Sequence, residues 1–174
     1  MIEELLRPAR DADVDGLARL LVDAVESGAA VSFLPPLAHD VAARFWRGVL
    51  DAAPAGSVFL VQREAGRILG TVHYQPSTAP NQPHRAEVSK LLVHRDARRT
   101  GVGARLMGEL ETRARARGIR LLTLDTKRND AAERLYVRLG WTVAGIIPEY
   151  ALNPDGTLHD TVVFFKQLEP LRAR

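Results

Sequence analysis

Cysteine is absent from the 174 residues, which removes disulfides, thiolate metal sites and cysteine nucleophiles together. An acyl group moved by this chain is not carried on a cysteinyl thioester. Long apolar runs are missing as well. No stretch approaches the ~20 residues needed to span a bilayer, and the residues after Met1, "IEELLRPAR", are acidic and then basic with no apolar core of a signal peptide. A cytoplasmic protein with no membrane contact is the expectation. Aromatic residues make up only 6% and do not interleave with a basic stripe, so nucleic acid is not an expected partner. His73, His84, His94 and His159 do not fall at metal-ligand spacing; each reads as a surface or loop residue, and no metal is expected.

What is present suits one compact domain: 46% hydrophobic and 26% charged residues over a length able to bury a core. The charge is uneven. Residues 95–138 hold twelve of the 24 Lys+Arg and six of the 21 Asp+Glu, so this segment is +6 while the remainder is −3. A local positive field suits a polyanionic ligand.

"LLRPA" (5–9) reads as a first strand. Leu17, Leu20, Leu21, Ala24 and Val25 recur at helical spacing, with Asp11 or Asp13 as a candidate N-cap. "SGAAVSFLPP" (27–36) breaks that helix, and Val41, Ala42, Phe45, Val49 and Leu50 mark a second. "SVFLVQRE" and "RILGTVHYQP" flank the turn at 65–66 as a hairpin. "AEVSKLLV" (86–93) is a strand, and Val102, Leu106, Leu110 and Ala114 form a helical stripe ending near Gly118. "IRLLTLDT" (119–126) is a strand, "DAAERLYVRLG" (130–140) a short helix, and "WTVAGII" and "TVVFFKQL" two strands around "NPDG" (153–156). The order β-α-α-β-β-β-α-β-α-β-β implies a single-domain α/β fold, a mixed sheet of six or seven strands flanked by about four helices.

Between the strand at 86–93 and the next helix lies "RRTGVGARL" (98–106). A helix N-terminus carries unpaired N–H groups and partial positive charge. Glycine there lets a phosphate approach the backbone. The turn is not a P-loop, which needs lysine after its last glycine, nor a G-x-G-x-x-G fingerprint, because Leu106 stands at the sixth position.

R-x-x-G-x-G after a strand, followed by "NDAAERLYVRLGW", resembles the GNAT superfamily of acyl-CoA-dependent N-acetyltransferases, and the element order fits over essentially the whole chain. The resemblance implies that Arg98, Arg99, Thr100, Gly101, Val102, Gly103 and Ala104 cradle the pyrophosphate of acetyl-CoA. It implies that the pantetheine arm lies along the backbone of Leu91, Leu92 and Val93, and that Asn129 and Tyr136 belong to the site. "RAEVSKLLV", "LLTLDT", "NPDGTLHDTVVFFK" and "GAAVSF" are similar to the acetyltransferases that confer tabtoxin resistance by acylating a β-lactam amino acid. "SGAAVSF" and residues 149–160 are then the expected acceptor walls, and the family occurs as monomer or homodimer.

For such a reaction an amine must lose a proton, a carbonyl must be polarised and a thiolate must leave. Strand periodicity puts Glu87, Ser89, Leu91 and Val93 on one face. Glu87 is a candidate base, or a strand-end carboxylate paired with Arg85 or Lys90. Asp125, at the carboxyl end of a central strand, is a second candidate base, a holder of the substrate ammonium, or a helix cap. Two carboxylates converging on one site would raise one of their pKa values. Tyr136 can donate to a departing thiolate, or be a core tyrosine at helical spacing. The backbone N–H of Val93 or a neighbour is the implied oxyanion donor. Trp46 and Phe45 either line an acceptor cleft or pack the second helix. The acceptor is a small-molecule amine or a peptide amine, and a non-catalytic acyl-CoA-binding domain is the reading from another class.

Overall fold

Seven strands form one mixed sheet in the computed structural model, which describes residues 1–169. In chain order the elements are β1 (Ile2–Glu4), α1 (Asp11–Glu26), α2 (His39–Ala52), β2 (Val58–Glu64), β3 (Arg67–Pro76), β4 (Arg85–Val93), α3 (Val102–Ala116), β5 (Leu121–Lys127), α4 (Ala131–Arg138), β6 (Thr142–Leu152) and β7 (Leu158–Gln167). The sheet order is β1-β2-β3-β4-β5-β7-β6. Only the β4–β5 pair is parallel; the others are antiparallel.

The sheet separates two cores. One face buries Val58, Leu60, Val72, Tyr74 and Leu122 with Leu106, Met107 and Leu110 of α3 and Tyr136 of α4. The other buries Phe59 and Val61 with Leu17, Leu20 and Leu21 of α1 and Trp46 and Leu50 of α2. Strand β2, with Val58 to Val61 all buried, therefore feeds both cores by strict alternation. Lys166 Nζ on β7 donates to both oxygens of buried Glu111 on α3 at 2.8 Å and to the Leu139 carbonyl at 2.7 Å. That three-way contact fixes the end of α4, and with it the ring of Tyr136.

The first strand lies earlier than "LLRPA": pairing runs from Ile2 to Glu4 against β2, and Leu5 closes it by donating to the Phe59 carbonyl at 2.9 Å. Pro8 lacks an N–H and cannot extend the ladder. Neither expected aspartate caps α1. Arg10 is the N-cap residue, with no side-chain cap. Asp13 instead accepts from Arg10 Nε and Arg63 Nη2, both at 2.7 Å. His73 is not at the surface but 4% exposed, stacked on Phe59 with ring centroids 4.7 Å apart. Burial, with the Lys90 charge adding to it, lowers its pKa to about 3, so it stays neutral. Trp46 is fully buried, as core packing requires. On edge strand β6 the side chains Val143, Ile146, Ile147, Tyr150 and Leu152 are 44–53% exposed, an apolar strip that the sequence reading did not anticipate.

The two guanidinium groups hold the Asp13 carboxyl below the ordinary carboxylate range. A lowered folded-state pKa contributes stability that is present above the unfolded value and lost as pH falls. Asp13→Asn should therefore lower stability by about 2 kcal/mol at neutral pH. In urea titrations the gap between variant and parent should narrow below about pH 4.

Candidate active site

Strands β4 and β5 stay paired for three residues only, Arg85, Ala86 and Glu87 against Leu121, Leu122 and Thr123. Beyond that they diverge and a cleft of about 540 Å³ opens. Its walls are Ala29–Leu34 from the α1–α2 loop, Val88–Leu91 of β4, Asp125–Lys127 of β5, Ala132 and Tyr136 of α4, and Tyr150–Leu152, His159 and Thr161 from β6 and β7. Both segments expected as acceptor walls thus contribute to one cavity.

The cleft passes between the two faces of the sheet. Leu122 and Leu124 of β5 are buried on the α3/α4 side, so alternation turns Asp125 toward the α1/α2 side. Tyr136 enters from the opposite side. Its ring is buried against Trp141 and Phe164, with centroids 5.9 Å and 5.8 Å away. Burial, reinforced by the negative charge of Asp125, raises the phenol pKa, so the hydroxyl keeps its proton. Asp125 Oδ2 accepts from Thr161 Oγ1 at 3.0 Å, which orients the carboxylate on the cleft wall. Asp125 does not cap α4; Asp130 does, accepting from the Ala131 N–H at 2.6 Å.

Strand β4 carries a bulge that period-two reading does not see. His73 pairs with Ser89 and Thr71 with Leu92, so Lys90 and Leu91 together oppose Val72. Lys90 adopts φ of 53°, in the left-handed region rarely used by a side chain of this size. The alternation inverts there. Leu91 and Val93 pack on the α3/α4 core and Leu92 on the α1/α2 core. Glu87, two residues before Ser89, consequently does not share a face with Leu91 and Val93. It is exposed in a separate depression of about 360 Å³ lined by Gln75, Arg85 and Ser89 among others. Glu87 pairs with Thr123, two residues before Asp125, so both carboxylates stand on the α1/α2 face of the sheet, and the depression at Glu87 meets the cleft at Ser89.

Past the last paired residue, β4 has an edge with no strand beside it. The His94 N–H donates to the Leu69 carbonyl at 2.9 Å. Because backbone groups alternate in direction along an antiparallel ladder, those of Leu92 turn to β3 and those of Val93 turn outward. The Val93 carbonyl accepts from Arg98 Nε at 3.2 Å, in keeping with this. Open strand edges attract extended ligands. Leu91 and Val93 offer such an edge; Leu92 is committed to the sheet and is 2% exposed.

The edge leads through a 3-10 turn, Arg95–Ala97, to the N-terminus of α3. Asp23 of α1 holds this turn, accepting from the Arg95 N–H at 3.0 Å and from the Arg95 guanidinium. Gly101 is the N-cap residue, with φ of 84° and no side-chain cap. The N–H groups of Val102, Gly103 and Ala104 therefore end at an uncapped terminus. The glycines have distinct tasks. Gly101 supplies the left-handed turn. A Cβ on Gly103 would stand 3.2 Å from Leu135 Cδ2, so its absence lets α3 approach α4. Arg98 also donates to Ser27 Oγ at 2.9 Å, while Arg99 is exposed. Thr100 Oγ1 closes the turn on the Ala97 carbonyl at 2.7 Å. Asn129 is exposed beside the cap of α4, with φ of 64° and its N–H on the Glu133 carboxylate. Among the described residues, no group of three or more His, Asp or Glu is placed to hold a metal.

The sheet thus opens between two parallel neighbours, and the free strand edge leads on through a short turn to a helix N-terminus. The profile of the acetyltransferase (GNAT) family matches residues 31–141. The chain belongs to that family and is an acetyltransferase. An L-methionine sulfoximine/L-methionine sulfone acetyltransferase from Pseudomonas paraeruginosa is 32% identical over 172 residues, covering 97% of this chain and 96% of that protein. Among solved structures, an N-acetyltransferase from Staphylococcus aureus superposes with TM-score 0.79 at 21% identity, covering 97% and 98% of the two chains. A Salmonella typhimurium structure containing its cofactor acetyl-CoA superposes at 0.78 with 23% identity, covering 100% and 96%.

If the left-handed cap is required for the turn, Gly101→Ala should destabilise the protein by about 1 kcal/mol. Urea unfolding measures it, and an unchanged midpoint would show that the turn adopts another conformation.

Proposed function

We propose that the protein transfers an acetyl group from acetyl-CoA to the primary amine of a small, amino-acid-like molecule, by direct attack in a ternary complex. The observation that carries this reading is the continuity of the outward backbone edge at Leu91 and Val93 with the uncapped first turn of α3. An extended pantetheine arm fits the first, and the pyrophosphate fits the N–H groups of Val102 to Ala104 with Arg99 beside them. Arg98 contributes through its hold on the Val93 carbonyl and Ser27 as well as through its charge. Asn129 stands just before α4, next to Asp130 on the cleft wall. Acetyl-CoA supplies the thioester; the chain supplies binding, orientation and proton handling.

Of the two carboxylates on the cleft wall, Asp130 is taken up by the cap of α4, and Asp125 accepts the proton that the acceptor ammonium must lose before nitrogen can attack. Glu87, in the adjoining depression on the same face of the sheet, has the lesser part. The outward N–H of Val93 faces the place where negative charge develops on the acyl oxygen. As the C–N bond forms and the C–S bond breaks, the Tyr136 hydroxyl donates its proton to the departing sulfur, and the second proton shed by nitrogen as the amide forms restores the phenol. The burial that keeps this phenol protonated equally disfavours a bare thiolate beside it. A small acceptor suits a cleft of about 540 Å³ walled on several sides, and the Pseudomonas relative is named for amino-acid acceptors.

Free-thiol release from acetyl-CoA, measured over methionine sulfone, methionine sulfoximine, β-lactam amino acids and basic peptides, tests the reading. Turnover confined to peptides would contradict it. Tyr136→Phe and Asp125→Asn should each lower kcat by about 10²- to 10³-fold with little change in the acetyl-CoA Kd. Glu87→Gln should cost less than either. A Glu87→Gln loss exceeding that of Asp125→Asn would exchange the two carboxylates' roles.

A further inference from the structure

Lys90 is the residue of the cleft that neither the family frame nor the proposed chemistry employs. It stands on the bulge of β4, its side chain on the α1/α2 side with that of Ser89. Its Nζ donates to Ser32 Oγ at 3.2 Å and lies 5.5 Å from the centroid of the Phe45 ring. Ser32, in the α1–α2 loop, has φ of 70°. The contact thus joins two non-glycine residues held in the left-handed region, one from each wall. Such conformations persist only where surrounding structure enforces them, and they gather at functional sites. A buried tyrosine and a solvated carboxylate across the cleft leave Lys90 without a carboxylate in contact: among the described residues it forms no salt bridge. Lys127, the other lysine of the cleft, is engaged by Asn153 Oδ1 in the β6–β7 turn.

A cation drawn out of water and met only by a hydroxyl and an aromatic face is incompletely compensated. Burial accordingly lowers the Lys90 pKa, with Asp125 partly opposing that effect. An anion bound at Nζ would supply the missing partner. Asp125 offers the opposite sign on the facing strand, so the two walls together complement a zwitterion.

We propose that Lys90 is the specificity-determining residue of the acceptor subsite, binding the α-carboxylate of an amino-acid acceptor while the amine faces Asp125. The carboxylate takes the Ser32 hydroxyl's place as partner of Nζ, and the π face of Phe45 keeps the ammonium aimed into the cleft. This rests on the acetyl-transfer reading above, which fixes the amine at Asp125. Lys90 orients the acceptor and takes no part in proton transfer.

The test compares methionine sulfone with 3-(methylsulfonyl)propylamine, the same molecule without its carboxylate, in the parent protein, Lys90→Met and Lys90→Arg. Methionine retains the aliphatic stem over Phe45. Using each protein's ratio of kcat/KM for the two acceptors cancels the difference in amine basicity. The parent should prefer the acid. Lys90→Met should reduce that preference about 30-fold, the scale of one charge-assisted hydrogen bond, and mostly through KM. Lys90→Arg should restore much of it. An undiminished preference in Lys90→Met, or a parent that takes the two acceptors alike, would overturn the inference. Calorimetric binding of methionine sulfone in the presence of coenzyme A, with no acetyl donor, separates this from the reaction itself. Binding that falls about 30-fold in Lys90→Met supports the subsite even if no amine is acetylated, whereas binding insensitive to Lys90, or absent from the parent, refutes it.

Discussion

Everything functional here follows from the short pairing of β4 with β5. Two adjacent strands that hydrogen-bond for only three residues leave backbone donors and acceptors without a ladder partner, a costly condition inside a protein. The fold absorbs part of that demand: Arg98 takes the Val93 carbonyl and Asp23 takes the Arg95 N–H. The rest remains on offer at the edge of β4. From that edge the chain passes through a short 3-10 turn into the uncapped first turn of α3. One local failure of pairing thus leaves a free strand edge and a cleft into which both sides of the sheet can project groups; in the proposed function that edge takes the extended arm and the helix turn beyond it the anion.

The two cores give the slot its rigidity. Buried Glu111 and Lys166 tie α3, β7 and the end of α4 together, and the Tyr136 ring packs on Trp141 and Phe164. On the other face, α1 does more than pack. Its C-terminal residues Asp23 and Ser27 grip the loop that leads to α3. The helix that leads into the α1–α2 loop therefore also steadies the turn before α3, tying the loop and the turn together mechanically.

Much of the fold was legible because periodicity is a long-range average. Four-residue stripes in α3 and dense apolar strands at 58–61 and 121–124 survive small errors of register. The site was less so, since it depends on single backbone angles. The bulge at Lys90 is invisible to pattern reading because a lysine, not a glycine, occupies the left-handed position, and that one residue inverts the faces of Leu91 and Val93 relative to Glu87. The lysine within "VSKLLV" was the available signal: a charge in an apolar strand must meet a partner or a cavity. His73 was misplaced for a related reason, its polarity masking a neutral ring packed on Phe59. Asp125, Tyr136 and the R-x-x-G-x-G turn, on which the proposed function rests, could be singled out because their chemistry and spacing are carried by the residues themselves.

The central claim is that the open edge of β4 and the first turn of α3 bind acetyl-CoA as one continuous surface. Amide hydrogen exchange with and without acetyl-CoA tests it most directly. The account predicts protection together at Leu91, Val93 and Val102 to Ala104, with Leu92 little altered because it is already paired to β3. Protection elsewhere in the sheet, or at the helix turn without the strand edge, would contradict it.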